Sequence, residues 1–193
     1  MRPPRTADRS RQRDSDDEIV SLIPALRAFA RTFCHEVSDA DDLVQETLTK
    51  GLAAIDQFSP GTSLKSWLFT IMRNTFYTRI KSYMREAPGR IDCISGKPVM
   101  MASQEWSVRA LELKHAIQRL PQQQREVLVL IGVLGTSYED TAGICGCAVG
   151  TVKSRLSRAR LRLLDELGEK SLQTLFETSV VSTAPATHSA SRR

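Results

Sequence analysis

The stretch Gly146–Leu164, GCAVGTVKSRLSRARLRLL, carries five Lys/Arg residues and no Asp or Glu. Val149, Val152, Leu156, Ala159 and Leu163 recur in steps of three and four, which makes one face of a helix apolar. Lys153, Ser154, Ser157 and Arg158 fall off that stripe, with Arg155, Arg160 and Arg162 around them. Upstream, SYEDTAGI (137–144) reads as a short helix whose small Ala142 and Gly143 let a second helix pass closely. CGC (145–147) supplies a glycine-containing turn. Short helix, tight turn and basic helix form the helix-turn-helix pattern. Its second helix enters the major groove of DNA and reads bases with its N-terminal half. Acidic side chains there would face phosphates, which accounts for their absence. A basic, solvated helix face is the bland alternative; the preceding helix and turn favour DNA recognition.

The rest of the composition agrees with a polyanionic partner. The chain has 193 residues, a formal net charge of +5 and 41% hydrophobic residues, enough for one or two small domains with a core. The charge is uneven. Between Asp14 and Asp56 stand ten acids against two Arg and one Lys, whereas Thr141–Leu164 has no acid. Two surfaces with different partners follow from that asymmetry. The start is Arg-rich and lacks the apolar run of a signal peptide. No apolar stretch approaches the roughly 18–20 residues needed to span a bilayer. The expected compartment is cytoplasmic, with reduced thiols. Cys145 and Cys147 lack the CxxC spacing of metal or redox sites, and Cys34–His35 has no second ligand pair. No metal and no cofactor are expected, and the cysteines read as packed or incidental thiols.

Along the chain, 1–16 is polar, contains prolines and lacks periodicity, and reads as a disordered arm. A first domain is expected over 17–85. Its first helix carries Ile19, Leu22, Ile23, Leu26, Phe29, Ala30 and Phe33, and Pro24 should kink it or mark its first turn. In the second, SDADDLVQETLTKGLAAIDQF (38–58), Ser38 is a plausible N-cap and the acids suit the positive helix end. After the turn SPGTS (59–63) comes a third helix, about 63–84. Residues 86–106 lose the period and read as a flexible linker. A second domain over 107–168 holds four helices, about 107–119, Pro121–Leu134 closed by Gly135, Ser137–Cys145 and 148–168. VLVLIGVL (127–134) is ambiguous by composition, and its helical neighbours decide it. Residues 169–193 read as a disordered tail. The fold class is all-α, two helical domains.

The first domain does not look like an operator-binding module. Asp39, Asp41, Asp42, Gln45 and Glu46 cluster at one helix start beside an apolar stripe. The next helix is basic and aromatic. Six of the eleven aromatic residues lie between Phe58 and Tyr83, interleaved with Lys65, Arg73, Arg79, Lys81 and Arg85. Aromatic rings among cations suit unpaired bases, and extruding a base from a duplex needs such a pocket. Trp67 and Phe69 read as core before base platform.

DADDLVQETLTKGL, FSPGTSLKSWLFTIMRNTFYTRIKS and LPQQQREVLVLIGVLGTSYEDTAGICGCAVGTVKSRLSRARLRL together resemble an extracytoplasmic-function (group 4) RNA polymerase sigma factor over about residues 17–168. SWLFTIMRNTFYT and ICGCAVGTVKSR are similar in particular to the general-stress sigma factors of alphaproteobacteria. The resemblance implies that the first domain is sigma region 2. Asp39, Asp41, Asp42, Leu43, Gln45 and Glu46 would then bind core RNA polymerase at the β′ clamp coiled coil. Phe58, Asn74, Arg73 and Arg79 would contact the −10 element during melting. The second domain is then region 4, near the β flap, with Lys153, Ser154, Ser157 and Arg158 on a −35 element of the GGAAC type. The linker would thread toward the RNA exit channel. A small anti-sigma factor would hold the chain inactive until stress, and the free chain would be a monomer. Thr75, Phe76 and Tyr77 depart from many group 4 members, which leaves the −10 preference open. No nucleophile–base pair, phosphate loop or metal set appears, so an enzyme is not expected. An ordinary helix-turn-helix regulator would leave the acidic helix and the aromatic–basic stretch unexplained. A decoy that titrates an anti-sigma factor would carry a receiver domain, for which this chain has no room.

Overall fold

The computed structural model describes residues 5–59, 61–86 and 108–168. Among them are seven α-helices: α1 (Arg5–Ala30), α2 (Val37–Ala53), α3 (Leu64–Glu86), α4 (Val108–Arg119), α5 (Gln122–Gly132), α6 (Tyr138–Cys145) and α7 (Val149–Leu167). A 3-10 turn at Ile55–Gln57 follows α2. The fold is all-α, a unit of three helices followed by a unit of four. The linker expected over 86–106 lies outside the described residues except for Glu86, the last residue of α3, and the tail at 169–193 lies outside them altogether.

Several helix ends differ from the sequence expectation. Helix α1 begins at Arg5, so residues 5–16 are helical rather than a disordered arm. No Gly or Pro interrupts 5–23, and extending an existing helix is far less costly than nucleating one. Pro24 lies inside α1, not in its first turn. Helix α2 starts one residue before Ser38, and its N-cap Glu36 makes no side-chain cap bond. Asp39 in the first turn supplies the favourable charge instead. Helix α5 has Pro121 as its N-cap and ends at Gly132, short of Leu134.

The first core forms where the apolar stripes of α1, α2 and α3 meet. Leu26, Phe29, Leu43, Leu68, Phe69 and Met72 are fully buried. The Phe29 ring lies 4.9 Å from both Phe33 and Phe69. Burial of each such side chain contributes about 1.5–3 kcal/mol. Gly51 sets the approach of α2 to α3, since a Cβ there would stand 2.7 Å from Leu68 Cδ2.

In the second unit, Val152, Leu156, Ala159 and Leu163 bury the predicted stripe of α7, while Val149 is half-buried. Ser137 Oγ accepts from the Asp140 N–H at 2.9 Å and caps α6. Gly146 ends α6 at φ 61°, a left-handed conformation that costs glycine little. The turn closes with the Cys147 N–H donating to the Ala142 carbonyl at 3.1 Å.

The two units share a surface. Helix α3 packs on α6 and α1 touches α5. One continuous cluster of buried side chains runs from Phe29, Phe69 and Met72 to Val127, Leu130 and Ile144.

Candidate nucleic-acid and polymerase interfaces

Helix α7 turns its apolar stripe inward and so presents its cations outward. Lys153, Ser157 and Arg158 are exposed and Ser154 is half-buried. All four lie in the first ten residues of the helix, the half that a helix-turn-helix sends into the groove. Lys153 Nζ stands 5.9 Å from the centre of the Tyr138 ring, and Ser154 Oγ donates to the Thr151 carbonyl at 2.9 Å. Arg155 Nη1 reaches Cys147 Sγ at 3.5 Å and ties the helix to its turn. The Cys145 thiol is pushed up to about 12 by burial, and also by Glu126. It stays protonated and packs as a small apolar group.

The aromatic–basic face of α3 divides into two places. Phe58 packs on Trp67 with ring centres 5.5 Å apart. Phe69 is fully buried core, in line with the core reading given to it. Asn74 is exposed and lies two turns beyond Trp67 on the same side of α3, about 10 Å along the axis. Phe58 therefore lies against the first turn of α3, and Asn74 stands two turns further along that helix. Arg73, Asn74, Tyr77, Thr78 and Lys81 line a cavity of about 360 Å³. Arg79 is exposed and pairs with Glu46 of α2.

On α2, Asp39, Asp42 and Gln45 are exposed, and Asp41 and Glu46 are partly so. Asp41 accepts from Arg27 Nε at 3.0 Å. Glu46 pairs with Lys50 at 2.7 Å and with Arg79; the Lys50 hydrogen bond is the main reason its carboxyl titrates below the usual value. Leu43 corrects the expectation. It was grouped with the polymerase-facing residues but is fully buried, because its position on α2 points at α1 and α3. It shapes the packing beneath the acidic surface.

Two residues of α5 escaped the sequence reading. Glu126 is 1% exposed. Its Oε2 accepts from Arg73 Nε at 2.8 Å and its Oε1 from Tyr77 Oη at 2.6 Å, both across from the first unit. Gln122 Nε2 adds a bond at 3.2 Å from its own helix. Burial, helped by the bond to Glu126, raises the Tyr77 phenol well above its ordinary value. Arg73 lies 4.7 Å over the Tyr77 ring. Burial works against its charge, but the bond and charge of Glu126 outweigh that and raise its pKa. The neighbouring Arg125 is 8% exposed with no partner for Nε, and burial lowers its pKa. It lines a groove of about 590 Å³ between the units with Phe33, His35, Phe76 and Ile80. The available signal was a charged Arg–Glu pair opening an otherwise apolar run at 125–131.

Among the described residues no helix is long and apolar enough to cross a membrane. Residues 19–86 match Sigma-70 region 2 and residues 110–163 match Sigma-70, region 4. The chain is 47% identical over 151 residues to the ECF RNA polymerase sigma factor EcfG of Rhodopseudomonas palustris, covering 76% of this chain and 81% of that protein. It is 34% identical over 173 residues to a probable RNA polymerase sigma-C factor of Mycobacterium bovis, covering 78% of this chain and 92% of that one. Its fold matches the sigma factor RpoE of Bartonella quintana, solved with the anti-sigma factor NepR, at a TM-score of 0.73 and 44% identity. That match covers 82% of this chain and 99% of RpoE. Region 2 on the acidic and aromatic helices, and region 4 on the helix-turn-helix, place the chain in the ECF RNA polymerase sigma factors, which are transcription regulators and not enzymes.

Proposed function

We propose that the chain binds core RNA polymerase through α2, reads a GGAAC-type −35 element with α7 and melts the −10 element with α3. Asp39, Asp41, Asp42, Gln45 and Glu46 dock on the β′ clamp coiled coil, and region 4 sits near the β flap. Lys153, Ser154, Ser157 and Arg158 contact the −35 bases and phosphates, and a good bidentate base contact discriminates by about 1–3 kcal/mol. Phe58, Asn74, Arg73 and Arg79 hold the displaced −10 strand. The setting is the cytoplasm and the general stress response, under a small anti-sigma factor, in keeping with the RpoE–NepR complex of the similar Bartonella protein. The observation that carries the reading is the division of charge: acids exposed on α2, cations exposed on the outer face of α7.

Reversing each surface separately tests it. Asp41→Arg with Asp42→Arg should cut capture of core polymerase by the immobilised chain at least tenfold and leave binding to a GGAAC duplex intact. Lys153→Ala or Arg158→Ala should do the opposite. Equal loss of both activities in either variant would refute the assignment.

A further inference from the structure

Arg125 stands at the seam between the two units with its charge poorly answered. The residue is 8% exposed, and no group among the described residues accepts from its Nε. Glu126 lends it some support, but that carboxylate already takes bonds from Arg73, Tyr77 and Gln122. Buried cations are ordinarily paired, and one left without an acceptor costs stability. Proteins keep such a cost where a ligand supplies the missing partner.

Arg125 lines the groove of about 590 Å³ described above. Small-molecule sites run to roughly 300–1,000 Å³, so the groove holds more than a bare ion. Among the described residues no Asp or Glu lines it, whereas Arg125, His35 and Arg119 do. Arg119 is committed to Glu166 at 2.8 Å, which leaves Arg125 and the half-buried His35. Residues 120–123, the start of α5, form one wall. The N-cap Pro121 makes no side-chain cap bond, so the positive end of an eleven-residue helix opens on the groove. A second wall is apolar. Phe33 and Phe76 meet there with ring centres 4.6 Å apart, and Ile80 continues the surface. Phe76 and Ile80 are only half-buried, so this wall has area left to cover.

An uncapped helix start beside an unpaired guanidinium is the donor set of a phosphate site, and arginine suits phosphate because its N–H groups bond two oxygens at once. An apolar wall next to it suits a flat ring. We propose that this groove binds a small phosphate-bearing ligand with a flat body, a nucleoside monophosphate in chemical class, with Arg125 and the start of α5 on the phosphate and Phe76 and Ile80 against the base. The site is separate from the surfaces assigned to polymerase and promoter and does not rest on that reading.

Calorimetric titration of the full chain with adenosine 5′-monophosphate, adenosine and inorganic phosphate tests it. The nucleotide should bind with submillimolar affinity, and adenosine and phosphate should each bind about tenfold or more weakly, since each lacks half of the contacts. Arg125→Gln should weaken nucleotide binding about tenfold, in line with the loss of a charged bidentate contact. Gln123→Glu places a carboxylate at the exposed rim of the groove, where the helix end favours it. Its melting temperature should hold or rise while nucleotide affinity falls several-fold. In the absence of ligand, Arg125→Gln should melt no lower than the wild type. A lower melting temperature with unchanged affinity would make Arg125 a packing residue and overturn the site. Equal nucleotide binding by wild type and both variants would place the ligand elsewhere and overturn it too, as would phosphate binding as tightly as the nucleotide. No binding of the three probes, with Arg125-dependent capture of a Glu-rich peptide, would give the groove to a protein partner and overturn the small-ligand reading. None of these readouts needs polymerase or promoter, so failure to bind core polymerase would sink the proposed function and leave the groove standing.

Discussion

His35 shows how a single side chain couples to the seam. It lines the groove beside Arg125, and its pKa is lowered first by burial and then by the Arg125 charge. The folded chain therefore takes up the proton less readily than the unfolded chain, whose imidazole titrates near 6.5. Above that pH both states are neutral and the stability is fully present. As pH falls through 6.5 the unfolded state binds the proton first, and stability is lost. Melting temperatures between pH 7 and 5 should decline for the wild type and be flatter for His35→Gln; parallel curves would contradict the coupling. Glu46 adds a loss of the same sign, but only in the lower carboxylate range. The exposed positions of α7 were legible one by one, because an apolar stripe of step three and four leaves Lys153, Ser157 and Arg158 on the outside. The role of Glu126 was not legible. Its partners are 53 and 49 residues away in sequence, and no local pattern encodes them.

At the scale of elements, the helices follow from periodicity and their ends from capping chemistry. Ser137, Gly146 and Gly168 stop or start helices where turn chemistry says they should. The misses came where local signals were weak. A polar, proline-free run continued α1 back to Arg5, and Ser38 fell inside a turn that began a residue earlier. Leu43 was misassigned because adjacent residues on a helix point in different directions, so an acidic cluster does not carry its neighbours to the surface. Gly51 tests the packing directly. Leu68 is fully buried, so moving its Cδ2 away from a Cβ at 2.7 Å disturbs the side chains packed around it. Gly51→Ala should cost about 1–3 kcal/mol in urea denaturation, as overpacking does, despite the better helix propensity of alanine. A neutral or stabilising effect would show that α2 and α3 slide apart easily.

The whole molecule joins a region 2 unit with acids exposed on α2 to a region 4 unit with cations exposed on α7. The sequence reads as two units joined by a flexible linker; the structure packs the units around Glu126 and one shared apolar cluster. The central claim is that this chain directs core polymerase to specific promoters. The measurement that tests it is in vitro transcription with core RNA polymerase on a template bearing a GGAAC-type −35 element, with and without the protein. The account predicts discrete transcripts from one start only when the chain is present. No transcript, together with no binding to core polymerase, would contradict it.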